Sequence, residues 1–248
     1  VDFIGVNGVL VLSALFQVVG AVQMTRTRTV SRGETRPEHG VVRSMVDGLV
    51  YIYTNRTIAL FIVIVAFHCA LVMSFESILP ILSREDLRAK DGSILGYLVM
   101  GFGVGALVGT LLLAGMRKER RKGQLLMWTG LFSGITPIML ALSGAVPLAI
   151  LATAAMGASQ ATFMVITNTY VQTVAPDRLR GRISSLYTLH AGGIMAFSNL
   201  GYGFTADAFS APPILLVTGV IFIVVLVALS AGQPVLRQVY RTGLVAPA

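Results

Sequence analysis

Charge is scarce in this sequence, and it is missing from long unbroken stretches. Asp, Glu, Lys and Arg make up only 12% of the residues. Seven segments hold none of them except a single Glu76: Phe3–Gln23, Ile58–Leu82, Ser93–Met116, Gln124–Ser143, Pro147–Val174, Ile183–Ala206 and Pro213–Gly232. A water-soluble domain interrupts its apolar runs with charge at helical or strand period, and this chain does not. Each segment is close to the roughly 20 residues a helix needs to cross a hydrocarbon core of about 30 Å. The expected fold is all-α, a polytopic membrane bundle of seven transmembrane helices.

Other scarcities exclude chemistry. The single cysteine, Cys69, permits neither a disulfide framework nor a CxxC metal pair. No HExxH occurs among His39, His68 and His190, so a zinc protease site is excluded. No segment contains an aspartate for aspartyl chemistry, and none contains a lysine to carry retinal as a Schiff base. The chain is expected to be neither an enzyme nor a cofactor carrier. The net charge of +8 lacks the aromatic-interleaved basic stripe of a nucleic-acid binder.

The positive charge has another distribution. Arg26, Arg28, Arg32, Arg36, Arg43 and Arg56 follow the first segment, and Arg117, Lys118, Arg120, Arg121 and Lys122 follow the third. Arg178, Arg180 and Arg182 follow the fifth, and Arg237 and Arg241 follow the last. The alternate gaps hold only Arg84, Arg88 and Lys90, diluted by Glu85, Asp86 and Asp91. Basic loops stay cytoplasmic, so the first segment should enter from outside and the C-terminus should lie inside. Anionic lipid is the expected partner of those loops. The start, Val1-Asp2 followed at once by apolar residues, has no basic region of a signal peptide. With an odd number of spans, it suggests the C-terminal part of a longer polypeptide.

Residues 24–57 form the longest gap. Thr25–Gly40 is polar and carries Gly33, Pro37 and Gly40, as a linker does. Then Val42, Val46, Leu49 and Tyr53 recur at helical spacing around Arg43, Ser44 and Asp47, which predicts an interfacial amphipathic helix. The expected organisation is one helix over 1–23, a cytoplasmic linker over 24–57, a six-helix bundle over 58–232 and a cytoplasmic tail over 233–248. Gly101, Gly105 and Gly109 share one face of the third segment as a small-xxx-small ridge, suited to close helix packing or to a sliding interface.

Pro176-Asp177-Arg178-Leu179-Arg180-Gly181-Arg182 resembles the basic loop joining the tenth and eleventh helices of major facilitator superfamily transporters. Asn168 to Val174 before it, Ile183-Ser184-Ser185-Leu186 after it, and Leu79-Pro80-Ile81-Leu82 are similar to the bacterial efflux branch that includes the enterobactin exporter. The stretch Gly109 to Gly123 resembles a degenerate second copy of the family's cytoplasmic gating motif, without its aspartate. The resemblance implies helices six to twelve of a twelve-helix secondary transporter in the plasma (inner) membrane. It implies export of hydrophobic or amphipathic small molecules such as drugs or siderophores, coupled to protons, with a missing N-terminal half as partner. It also implies that Asp177, Arg178, Arg180, Gly181 and Arg182 form a cytoplasmic gating loop that clamps helix ends. A seven-helix receptor, or a membrane scaffold that transports nothing, is the alternative reading.

Within the spans, Glu76 and His190 are the proton-coupling candidates. A carboxylate in a span is by default functional, although Glu76 lies about six residues, roughly 9 Å, from the external end. From there it could instead meet water, Arg84 or Arg88. His190 lines up with Tyr187, Phe197 and Phe204 as an aromatic face, which suits packing as well as proton carriage. Thr153, Gln160 and Thr167 fall on one stripe with Asn168 beside it, and Asn199 lines up with Thr188, Gly192 and Met195. These polar groups are candidates for a substrate cavity wall or for interhelical hydrogen bonds.

Overall fold

A computed structural model describes residues 5–26, 41–116 and 119–243. They divide into two units, Val1–Arg36 and Pro37–Ala248. The first unit contributes α1, Gly5–Arg26. Beyond Arg26 the expected linker lies outside the described residues, as do Arg117 and Lys118.

The second unit starts with α2, Val41–Thr54, the predicted amphipathic helix. Asn55 then caps α3, Arg56–Leu71, by accepting the Ile58 N–H at 3.1 Å. The long helices α5 (Ser93–Ala114), α6 (Glu119–Ala141), α7 (Val146–Val174), α8 (Arg180–Ala208) and α9 (Ala211–Gly232) follow in order. The continuous stretch Arg56–Asp86, together with α5, α6 from Arg120, α7 and α9, is long and apolar enough to cross a membrane, making five such helices among the described residues. Within α1 the described apolar stretch, Leu10–Arg26, is shorter. The helix α8 is long but carries Ser184, Ser185, Thr188, His190 and Asn199, which lower its hydropathy.

The second expected span, Ile58–Leu82, is not one regular helix. After α3 the chain runs through a 3₁₀ turn at Met73–Ser77, a three-residue helix α4 at Leu79–Ile81 and a π turn at Leu82–Asp86. Pro80 explains part of this: it has no N–H to give the Glu76 carbonyl, and its ring would collide with that carbonyl in an α-helix. The segment expected as a tail holds a helix of its own. Pro234–Thr242 forms α10, whose Leu236 and Val239 are fully buried and whose end is closed by Gly243 at φ 73°. That left-handed conformation is cheap only for glycine.

Packing in the second unit repeats with a shift of three spans. The helix α5 lies on α7 as α8 lies on α3, while α6 meets α9 across the middle. Such an internal repeat is common in transporter bundles. The first contact is set by glycine. A Cβ on Gly105 would stand 1.8 Å from the Ala154 carbonyl oxygen, one on Gly157 would stand 1.9 Å from that of Phe102, and one on Gly109 would stand 2.6 Å from that of Ala158. Gly101 would meet Ile150 and Thr153 at 3.0 Å, whereas Gly103 faces open space. The ridge on α5 is therefore a backbone-to-backbone seam. Gly134 and Gly219 make a smaller one between α6 and α9.

The arginine-rich gaps gather at one end of this unit. Arg180 Nε donates to the Gln172 carbonyl at 3.1 Å, Arg56 donates to Gln233 Oε1 at 3.1 Å, and Tyr170 Oη donates to the Gly243 carbonyl at 3.1 Å. Gly123 at the start of α6 lets the Val239 backbone of α10 approach. At the other end Phe75, Ile78, Leu87, Leu98, Leu140 and Tyr202 form a second apolar cluster. There Asp91 accepts from the Ser93 hydroxyl and N–H, and these bonds hold its carboxyl below the usual range.

Candidate functional site: the broken span and its neighbours

The interruption after α3 frees carbonyls that a continuous helix would have used. Side chains satisfy them: Ser74 Oγ donates to the Cys69 carbonyl at 2.9 Å, and Tyr202 Oη of α8 donates to the Leu71 carbonyl at 2.8 Å. The break is thus built into the fold and fastened to α8. Glu76 sits in its 3₁₀ turn with an exposed side chain. Among the described residues no ion pair joins it to Arg84 or Arg88.

Beside the break, α3, α8 and α9 enclose an open cavity of about 650 Å³ lined by Leu71, Gly201, Tyr202, Phe209, Ile214 and Val217 among others. Its walls are almost wholly apolar. Of the hydroxyl residues that line it, Tyr202, Thr205 and Thr218 donate to backbone carbonyls, and Ser198 is the fourth. Such a surface suits an apolar molecule and holds no charged side chain.

His190 is half-buried and fixed at both ring nitrogens. Nδ1 lies 2.7 Å from the Leu186 carbonyl, and Nε2 lies 2.8 Å from Tyr53 Oη of α2. The carbonyl can only accept, so Nδ1 carries a proton, and Nε2 is left to pair with the Tyr53 hydroxyl. The expected aromatic face divides: Tyr187 is buried, while Phe197 and Phe204 are exposed. At about 100° per residue, Tyr187 falls some 60° to one side of His190 and the two phenylalanines fall to the other.

Thr153, Gln160 and Thr167 do share a stripe, and the structure buries all three completely inside the bundle. Thr153 and Thr167 donate to carbonyls of their own helix, Ile150 and Phe163. Gln160 has neither amide atom bonded. Asn168 is half-buried and accepts from Gln172 at 3.1 Å. Asn199 is half-buried, and its Oδ1 is inaccessible and unbonded.

In the basic loop, Asp177 and Arg180 form an exposed ion pair at 2.6 Å. Arg180 also covers the C-terminal carbonyls of α7, where a cation complements the helix dipole. Arg178 faces Arg43 and Asp47 of α2 across a small cleft. Gly48 brings α2 against α8, since a Cβ there would touch Leu186 at 2.9 Å and Arg182 at 3.6 Å. Gly181 faces open space.

Sequence reasoning missed the Tyr53–His190 bond and the docking of α10. The first joins residues 137 positions apart and leaves no local pattern. The second had a signal: Pro234 opens a short amphipathic run that Gly243 closes.

The family described as transmembrane secretion effector, within the major facilitator superfamily, matches residues 1–239. No curated protein and no solved structure matches the chain. With a match across nearly its whole length and an all-helical bundle of membrane-spanning helices, the chain belongs to the transmembrane secretion effector family of major facilitator transporters.

Proposed function

We propose that the chain supplies the C-terminal bundle of a proton-coupled exporter of hydrophobic or amphipathic small molecules. The membrane is the bacterial plasma membrane, with the arginine-rich end and the C-terminus in the cytoplasm. Substrate binds between this bundle and a second one supplied by an N-terminal half, and the two rock about it. No catalytic step is involved.

One observation supports the coupling role: an exposed carboxylate, Glu76, stands in the 3₁₀ turn that interrupts a membrane span, and Leu71 just before that turn lines a cavity with apolar walls. Interrupted helices are where transporters place their ion and substrate sites. Glu76 is the only formally charged residue in the seven apolar segments, so it can change charge between two orientations of the bundle. His190 is the secondary candidate, already holding hydrogen bonds at both nitrogens. The uncharged groups Asn168 and Asn199 contribute weak contacts to varied amphiphiles.

The test is Glu76→Gln in a transporter containing both halves. The substitution keeps shape and hydrogen bonding but removes the titration. Transport should lose its dependence on a pH gradient while substrate binding is retained. An unchanged pH dependence would remove Glu76 from the coupling role.

A further inference from the structure

Four polar side chains from three helices are buried in the middle of the second unit, and apart from one bond between His68 and Ser133 they leave polar atoms unsatisfied. His68 of α3, Ser133 and Thr136 of α6, and Gln160 of α7 are each 0–1% exposed. His68 Nε2 lies 2.5 Å from Ser133 Oγ, and its ring packs on Phe163 at 4.7 Å and on Phe222 at 5.2 Å. His68 Nδ1, Thr136 Oγ1 and both amide atoms of Gln160 have no hydrogen-bond partner among the described residues.

Their positions converge. Thr136 is one turn beyond Ser133 on the buried face of α6. Gln160 is one turn beyond Phe163 on the buried face of α7, which runs antiparallel. Both turns lead away from the arginine-rich end. At about 1.5 Å per residue, the four groups lie roughly 18–25 Å from those helix ends. Pro137 adds a fifth group: it has no N–H to give the Ser133 carbonyl, which is left without its helical partner.

The mixture of groups selects the ligand. Gln160 Nε2 only donates, its Oε1 and the Ser133 carbonyl only accept, and Thr136 does both. A cation would be repelled by the amide N–H groups, and an anion by the carbonyls. Water donates twice and accepts twice, and buried water characteristically joins polar groups left unsatisfied in an interior. We infer that His68, Ser133, Thr136 and Gln160 form a closed hydration site at the crossing of α3, α6 and α7, next to the Pro137 interruption of α6. No charged side chain faces it from α3, α6, α7 or α9, since none occurs on those helices at this depth. His68 therefore works there as a neutral hydrogen-bonded pin between α3 and α6. The inference does not depend on the exporter reading.

Radiolytic hydroxyl-radical labelling of the purified chain in detergent tests it, because radicals formed from a buried water modify the side chains beside it. Phe163 and His68 should be modified at least several-fold faster than Phe61, which is equally buried in apolar surroundings. Thr136→Val and Gln160→Leu, made separately so that one can stand in if the other fails to fold, should bring Phe163 down toward the Phe61 rate. Labelling of Phe163 at the Phe61 rate in the unaltered chain would overturn the site. So would a melting temperature that rises when choline chloride is replaced by sodium chloride, which would assign the groups to a cation.

Discussion

The hydroxyl of Tyr53 lies in hydrogen bond with Nε2 of His190 at 2.8 Å and ties the amphipathic helix α2 to α8. With Gly48 set against Leu186, it fixes the helix that precedes the bundle onto α8. Any motion of α8 must carry α2 with it or break this bond.

Removal of the hydroxyl should therefore loosen α2 and leave the bundle intact. Tyr53→Phe is expected to cost about 1 kcal/mol, the net worth of one hydrogen bond. Amide exchange across Val41–Thr54 should accelerate several-fold, with α7 unaffected. Unchanged exchange in α2 would show that the bond does not hold it.

The seam between α5 and α7 gives a sharper contrast. Gly105→Ala places a methyl group 1.8 Å from the Ala154 carbonyl oxygen, and backbone cannot step aside as a side chain can. Overpacking of this kind costs about 1–3 kcal/mol or more, so the melting temperature in detergent should fall by several degrees. Gly103→Ala, two residues away in open space, should leave it unchanged or slightly raised by helix propensity. Equal effects would mean that the two helices do not meet at this register.

Asp91 gives a pH dependence at the opposite end. Its carboxyl is held below the usual range by bonds from Ser93, so the ionised form is the one the fold favours. That contribution is complete above the unfolded pKa and is lost as pH falls through the lower, folded one. A chain with Asp91→Ala should melt slightly below the parent at neutral pH, and the gap should close on acidification past the carboxylate range. A gap that widened in acid would contradict the assignment.

Sidedness can be read from added cysteines. With Cys69 replaced by Ala, a cysteine at Gly181, where an added Cβ meets nothing within 4 Å, should react only from the cytoplasm. One at Lys90 should react only from outside. External reactivity at Gly181 would reverse the orientation.

The legible part of this fold is what water and lipid dictate directly. Uncharged stretches became helices, and the Gly101–Gly105–Gly109 ridge became a seam because glycines four apart must share a face. The interruption near Glu76 was partly legible through Pro80, but the 3₁₀ and π turns around it depend on Tyr202 and Ser74 satisfying freed carbonyls. The stripe of Thr153, Gln160 and Thr167 was visible, whereas its complete burial was not. Periodicity fixes which residues share a face and leaves open what covers that face. The meeting of His68, Ser133 and Gln160 was hidden for the same reason, since each stands alone in its own segment.

Transport by the chain with and without a partner bundle is the most direct test of the half-transporter reading. Inverted membrane vesicles energised with a pH gradient would carry this chain alone, or this chain fused behind the first five helices of a family member. Uptake of a lipophilic fluorescent amine would be followed. The fused protein is expected to take up the dye and to stop when a protonophore collapses the gradient, while the chain alone stays at the level of empty vesicles. Robust uptake by the chain alone, or uptake by the fused protein that persists after the gradient is gone, would contradict it.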